Sequence, residues 1–309
     1  MSKKIEDLGG DIYGLLQSQK KLTPEEVADK MSNFGTSQGL MLNRALTERT
    51  EERKPMTIYA SELGKKCGRQ LWYTHNTPLL AEPLPAKTKF KFLYGDIVEN
   101  AVLTLAEMAG HKVERKQEVV EFKHESGWVV RGRRDAVIDD VSIDVKSSSP
   151  FGMRKFAEGL DDKSDSFGYR QQLSFYNGVL VPEFGQQGFV AVDKQNGDIE
   201  YYESPWFSVE GYIDTAIENI EAASEPAQLA NAEEDASFRN MKLATECSYC
   251  PFKTTCWRKA NMGRGLMLVQ YSSGPTWLTR VNKEPNAPTR WASAPSGAEE
   301  AIADAKEGK

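Results

Sequence analysis

Apolar and polar positions alternate along this chain in two periods, and their order suggests an architecture. Residues 1 to 52 carry helical spacing, and Thr23 before Pro24 and two Glu residues marks a helix start in "TPEEVADKM". From Tyr59, "YASELGKKCGRQLWY" predicts a helix with Cys67 near its middle. After a connector of Pro and Lys, "KFLYGDIVENAVLTLAEMAG" sets Phe92, Ile97, Val98, Val102, Leu105 and Ala109 at helical spacing and stops at Gly110. Three strand-like runs follow, "KVERKQEVVEF", "GWVVRGRRDAVI" and "VSIDVKS", separated by "KHES" and by the turn pair Asp139 and Asp140.

Next comes a loop rich in Gly, Ser and Asp, then the helix "YRQQLSFYNGVL", with Tyr169, Leu173, Tyr176 and Leu180 on one stripe. "QGFVAVDKQNGDIEYYES" is a hairpin pattern turning at Asn196 and Gly197. The amphipathic run "VEGYIDTAIENIEAA" leads through an acidic linker to a cysteine cluster, and Gly, Ser, Pro and Thr beyond Gly263 suggest a partly flexible tail. Helix, three strands, helix and further strand suit an α/β fold with a mixed central sheet flanked by helices. The expected organisation is a helical extension over 1–55, a main domain over 56–262 and the tail over 263–309.

Composition changes this picture little. The chain has 309 residues, 39% of them hydrophobic and 27% charged, without an apolar run long enough for a bilayer, so no membrane partner is expected. "MSKKIEDLGG" has no apolar segment of a secretory signal, and only four cysteines occur, so a reducing, cytoplasmic setting is expected. Charge changes it more. The net charge is −6, but residues 193 to 237 hold twelve Asp or Glu and one Lys, so the remainder carries +5. Basic groups gather at Lys65, Lys66 and Arg69, at Lys87, Lys89 and Lys91, at Arg131, Arg133 and Arg134, and at Lys253, Arg258 and Lys259, which permits a polyanion groove without requiring one.

The candidate chemistry starts in "IDVKS". Asp144 and Lys146 are two apart, so on a strand they share a face, and Asp135 lies beside them if the two strands form a hairpin through Asp139 and Asp140. Glu99, on the preceding helix, adds a third carboxylate. Clustered carboxylates repel, and a hard Mg2+ or Mn2+ neutralises them in a way that suits phosphodiester hydrolysis, with Lys146 orienting or deprotonating water or stabilising charge on the phosphate. Taken alone, D-x-K on a strand is more often an exposed ion pair. Gln172 and Tyr176, four apart on a helix, share a face and could reach a phosphate together.

A second constellation is "ECSYCPFKTTC", where Cys247, Cys250 and Cys256 are one thiol short of a four-ligand site.

In order, "SELGKKCGRQLWY", "GDIVE", "GRRDAVID", "IDVKS", "QLSFY" and "CSYCPFKTTC" resemble the RecB-like branch of the PD-(D/E)XK nucleases. Within it, the chain is similar to the members with an iron-sulfur cluster, such as the CRISPR-associated adaptation exonuclease and AddB-type nuclease domains. The likeness covers residues 59 to 258. It implies a restriction-endonuclease-like fold, Asp135 and Asp144 as metal ligands, Lys146 as the catalytic lysine, and Gln172 with Tyr176 as an accessory motif. These relatives commonly place His where this chain has Glu99; phage recombination exonucleases of the lambda type often use Glu, which puts Glu99 among the ligands.

The resemblance also implies Cys67, 180 positions upstream of Cys247, as the fourth thiol of a 4Fe-4S cluster that clamps the regions before and after the nuclease core. Zn2+ suits four thiolates as well, and His75 could replace Cys67.

The implied function is a metal-dependent DNA nuclease, an exonuclease on ends or single strands in recombination, repair or phage DNA metabolism. A non-catalytic DNA-binding or assembly protein on the same scaffold is the alternative, and an iron-sulfur electron carrier a weaker one. Beyond DNA, a homo-oligomer or a recombination partner protein stays open.

Overall fold

The alternation of helices and strands is that of the computed structural model, which describes residues 3–18, 22–47, 53–229, 233–235 and 240–307. Part of the acidic linker, 230–232 and 236–239, lies outside the described residues. Helices are α1 (Leu8–Gln17), α2 (Pro24–Leu46), α3 (Gly68–Asn76), α4 (Ala86–Met108), α5 (Pro150–Ala157), α6 (Tyr169–Tyr176) and α7 (Glu210–Glu221), followed by one-turn pieces and a last helix, Ala298–Glu307. Strands are β1 (Thr57–Tyr59), β2 (Val113–Glu114), β3 (Val119–Lys123), β4 (Val129–Arg133), β5 (Ala136–Ile138), β6 (Val141–Ser148), β7 (Gln186–Asp193), β8 (Ile199–Glu203), β9 (Glu233–Asp235), β10 (Asn240–Lys242), β11 (Leu266–Tyr271), β12 (Gly274–Arg280) and β13 (Thr289–Ala292). The fold is mixed α/β with mixed sheets. Among the described residues, no helix is long and apolar enough to cross a membrane.

Packing divides the chain into two units, one of residues 1–64 and 85–213, the other of 65–84 and 214–309. In the first, a five-stranded sheet runs β2-β5-β6-β7-β8, and β6 and β7 are parallel while the other pairs are antiparallel. One face is sealed by Ile5, Leu8 and Ile12 from the N-terminal helices and Val102, Leu103 and Ala106 from α4, packed on Ile138, Val141, Ile143, Val145 and Val190. On the other, Met153 and Phe156 of α5 and Leu173 of α6 meet Phe189 and Ala191 of β7. Strand periodicity therefore sends Ile143 and Val145 into one core and aims Asp144 and Lys146 the opposite way. A three-stranded sheet, β1-β4-β3, completes this unit.

The second unit has an antiparallel sheet ordered β13-β11-β12-β10-β9. Trp72 and Tyr73 of α3, Phe252, and Ala298 and Ile302 of the last helix share a core within it.

Several sequence expectations are corrected. The segment after Gly263 is not a tail: β11 and β12 bury Leu266, Met267, Leu268, Val269 and Leu278, because "LMLV" is a short continuous apolar run of the kind a strand buries on both faces. Cys67 is not mid-helix but the N-cap residue of α3, with extended backbone; the break falls at Gly68, where a Cβ would overlap Asn219. The first two strand runs are each interrupted. Arg115 and Gln117 take positive φ, and the chain between β4 and β5 switches sheets at Arg134 and Asp135. The Gly, Ser and Asp loop contains α5, started by Ser149, whose hydroxyl accepts Gly152 N at 3.3 Å ahead of a helix-entering Pro150. Helix α6 ends at Tyr176, and Leu180 lies outside it and exposed, because the buried Asn177 turns to bond Phe184 in both directions. Helix α4 starts earlier than expected, at Ala86, and Phe92 is exposed rather than packed in the stripe.

Candidate functional site

The hairpin read from the sequence is present, with Ile138 opposite Val141 and a two-residue turn in which Asp139 (φ 50°) and Asp140 (φ 64°) both take the left-handed conformation of a type I′ turn. With Ala136 opposite Ile143, Asp135 falls opposite Asp144. Its Oδ2 accepts Val145 N at 2.8 Å. Asp144 is buried and forms an ion pair with Lys146, whose ammonium stands 4.9 Å from the centre of the Tyr169 ring. Glu99, on α4, takes Gln117 Nε2 at 2.7 Å, and the Gln117 backbone N–H donates to Asp135 O at 3.0 Å. Thus Glu99, Asp135, Asp144 and Lys146 come together within the first unit.

The electrostatics follow from that crowding. Burial pushes Glu99 up to about 7, and the neighbouring Asp144 adds to the rise. Asp135 is raised well above the usual carboxylate range by burial, then by Asp144 and Glu99. Burial alone would lower Lys146, but Asp144 and Asp135 outweigh it and hold the ammonium charged. Three acids therefore face one base, and two of the acids hold their protons unusually tightly.

Helix α6 supplies the next layer. Gln172 Nε2 donates to Tyr176 OH at 2.9 Å, four residues on. Burial, with Asp144 and Asp135 behind it, pushes the Tyr176 phenol up to about 12 against the pull of the Gln172 bond. The ring can approach only because residue 132 is Gly: a Cβ there would stand 2.6 Å from Tyr176 Cε1 and 2.7 Å from Ala60 Cβ. Arg134, 1% exposed, donates to the Tyr176 carbonyl and to Glu183 Oε2 (2.6 Å), fastening the end of α6 beside the strand switch that carries Asp135. Arg170, on the same helix, pairs with Asp162 at 3.2 Å.

Sequence reasoning missed Gln117, Gly132 and Tyr169. Tyr169 stands in the helical stripe with Leu173 and Tyr176 but carries no sign of facing Lys146, Gln117 belongs to no motif, and only "GRRD", with a glycine in an alternating run, hints that something large approaches there.

In the second unit, Cys67, Cys247, Cys250 and Cys256 line one cavity of about 370 Å3 counted with its open mouth, together with Arg69, Tyr73, Leu229, Lys253 and Trp257. His75 is not part of that lining. Donors point at the sulfurs: Gln228 Nε2 lies 3.4 Å and Arg69 Nη1 3.9 Å from Cys256 Sγ, and Phe252 N lies 3.4 Å from Cys250 Sγ. Burial pushes the thiols of Cys247 and Cys250 up to about 12 each and raises Cys256, with the other thiols adding to the rise at each.

Among the described residues, no three His, Cys, Asp or Glu side chains close around a point at ion-binding range. In donor type, though not in spacing, the two sets match metal chemistry. The first is all carboxylate, with Asp144 Oδ2 buried against the Lys146 ammonium, a donor type that suits a hard cation. The second is all thiol with N–H donors on sulfur, the Trp257 indole among them beside Cys247, which suits a thiolate-bound metal or cluster.

No protein-family profile matches the chain, and no curated protein matches it. Among solved structures, the crystal structure of SSO0001 is similar over 71% of this chain and 93% of its own, at 19% sequence identity and a TM-score of 0.44.

Proposed function

We propose that the chain is a metal-dependent deoxyribonuclease of the RecB-like, restriction-endonuclease-like class, hydrolysing DNA from ends or single strands. The observation that carries this reading is the meeting of Glu99, Asp135 and Asp144 with one charged lysine, an excess of acid that protons or a divalent cation must neutralise.

Glu99, Asp135 and Asp144 would hold the ion. When bound, Mg2+ or Mn2+ supplies polarisation of the phosphate and a lowered pKa for water. Lys146, kept protonated by its two aspartates, acts as a donor: its ammonium steadies the negative charge that builds on the phosphate oxygens. Tyr169 limits the directions in which that ammonium can swing. Gln172 and Tyr176 present a linked amide and phenol that orient the backbone beside the carboxylates. Cys67, Cys247, Cys250 and Cys256 would hold a 4Fe-4S cluster, with Zn2+ as the alternative occupant, and fasten the segment around α3 to the C-terminal segment of the same unit. That role is structural.

The test is cleavage of end-labelled single- and double-stranded DNA in Mn2+ by wild type, Asp144→Asn and Lys146→Ala, with circular dichroism to check folding. Loss of cleavage in both folded variants supports the reading, and cleavage that persists in both removes it. A wild type that binds DNA without cutting would instead favour a non-catalytic DNA-binding protein.

A further inference from the structure

Two helices beside β6, α4 that carries Glu99 and α5 that follows the strand, leave large aromatic side chains uncovered. Phe92 is 59% exposed on α4 and Phe151 is 61% exposed on α5. Phe92 precedes Glu99 by seven residues, two helical turns, so both lie on one face about 10 Å apart along the axis. Between them is Gly95, where an added Cβ would meet only Ser147 Oγ, at 3.9 Å. That residue follows Lys146 and leads through Ser148 and Ser149 into α5, so Phe92 and Phe151 flank the same end of β6.

Charge indicates what covers them. From Ala86 to Gly95 there are three lysines, Lys87, Lys89 and Lys91, all exposed, and no acid; α5 carries Arg154 and Lys155 and no acid. Arg154 and Lys155 lie 5.6 and 5.3 Å from the Phe151 ring centre. Basic side chains interleaved with exposed aromatic rings, in a chain of net charge −6, match a strand whose phosphates are anionic and whose bases are unstacked.

We propose that Phe92 and Phe151 form a base-stacking platform that delivers single-stranded DNA to the carboxylate group, the lysines of α4 and the cations of α5 tracking its phosphates. The inference rests on the nuclease reading for what the strand is delivered to. A duplex keeps its bases inside the stack and gains nothing from either ring.

Affinity is measured by fluorescence anisotropy in the Asp144→Asn background, with a labelled oligothymidylate and with a blunt duplex of the same length. Phe92→Ala and Phe151→Ala are each expected to weaken oligothymidylate binding about tenfold, and Phe92→Trp to retain it, with duplex binding unaltered. Phe90 supplies the control: it is 67% exposed but nine residues from Glu99, hence on the opposite face of α4, and Phe90→Ala is expected to change nothing. Equal losses in Phe90→Ala and Phe92→Ala, or no loss in either Phe92→Ala or Phe151→Ala, overturns the proposal. So does a change in sedimentation of the phenylalanine variants with strand affinity intact, which would assign the face to a second copy of this chain. Binding needs no hydrolysis, so a wild type that holds the strand through Phe92 and cuts nothing refutes only the nuclease reading. A cutting wild type whose variants bind like their parent refutes only the platform.

Discussion

Asp135 accepts the backbone N–H of Val145 at 2.8 Å, so the first carboxylate of the candidate site is tied to the strand segment that separates Asp144 from Lys146. That single bond fixes three functional side chains with respect to one another across a hairpin. The carboxyl group is held there at a cost, since burial and two neighbouring acids raise it.

Opposite stability effects are expected at the two aspartates. Asp135→Asn retains an acceptor for Val145 N and removes a disfavoured charge, so its unfolding free energy from urea denaturation at neutral pH should equal or exceed that of wild type, by up to about 2 kcal/mol. Asp144→Asn strips Lys146 of its partner and should cost about 1–3 kcal/mol. Both should abolish cleavage. Equal destabilisation by the two would mean that Asp135 is not under electrostatic strain.

Gly132→Ala tests the approach of Tyr176. The new methyl group must displace the ring or Ala60, and overpacking of this kind costs about 1–3 kcal/mol. Cleavage should fall further than Tyr176→Phe alone reduces it, because Gln172 moves with the ring. A melting temperature and rate equal to wild type would show that the close approach is unimportant.

Glu225 provides a pH signature. Burial by itself would raise this carboxyl, but Tyr73, Arg258 and Lys306 together hold it down to about 2. A depressed carboxylate adds stability above its unfolded value near 4.5 and loses it as the pH falls toward 2, a change of up to about 3 kcal/mol. Urea unfolding at pH 5 and pH 3 should show a smaller acid-induced loss in Glu225→Gln than in wild type. Equal losses would count against the pairing.

The thiol group makes a compositional forecast. Protein purified without oxygen should carry iron and sulfide, or else zinc, and Cys67→Ala should lose the metal together with the other three cysteine variants. Since the cross-link spans 180 positions between Cys67 and Cys247, its loss should cost on the order of 5 kcal/mol by analogy with a disulfide of that span. A metal-free wild type, or a Cys67→Ala variant as stable as the parent, would restrict the cysteines to packing.

Periodicity and turn chemistry were enough to identify the hairpin at Asp139 and Asp140, the shared face of Asp144 and Lys146, and the pairing of Gln172 with Tyr176, because each is decided within a few residues by pleat, helical pitch or turn type. What the sequence by itself could not specify depends on contacts between distant segments. Gly132 reads as a weak spot in a strand until the Tyr176 ring is placed against it. Gln117 reads as a surface residue until it is found bonding Glu99 with its side chain and Asp135 with its backbone. Proline, glycine and serine after Gly263 suggest a tail, and only the pairing of β11 with β12 and β13 shows a sheet there, which β10 extends at its β12 edge. Local rules follow from steric limits on adjacent residues, whereas the site's charge balance follows from which segments exclude water together. That exclusion, and the raised carboxyls it produces, exists only once the chain is folded.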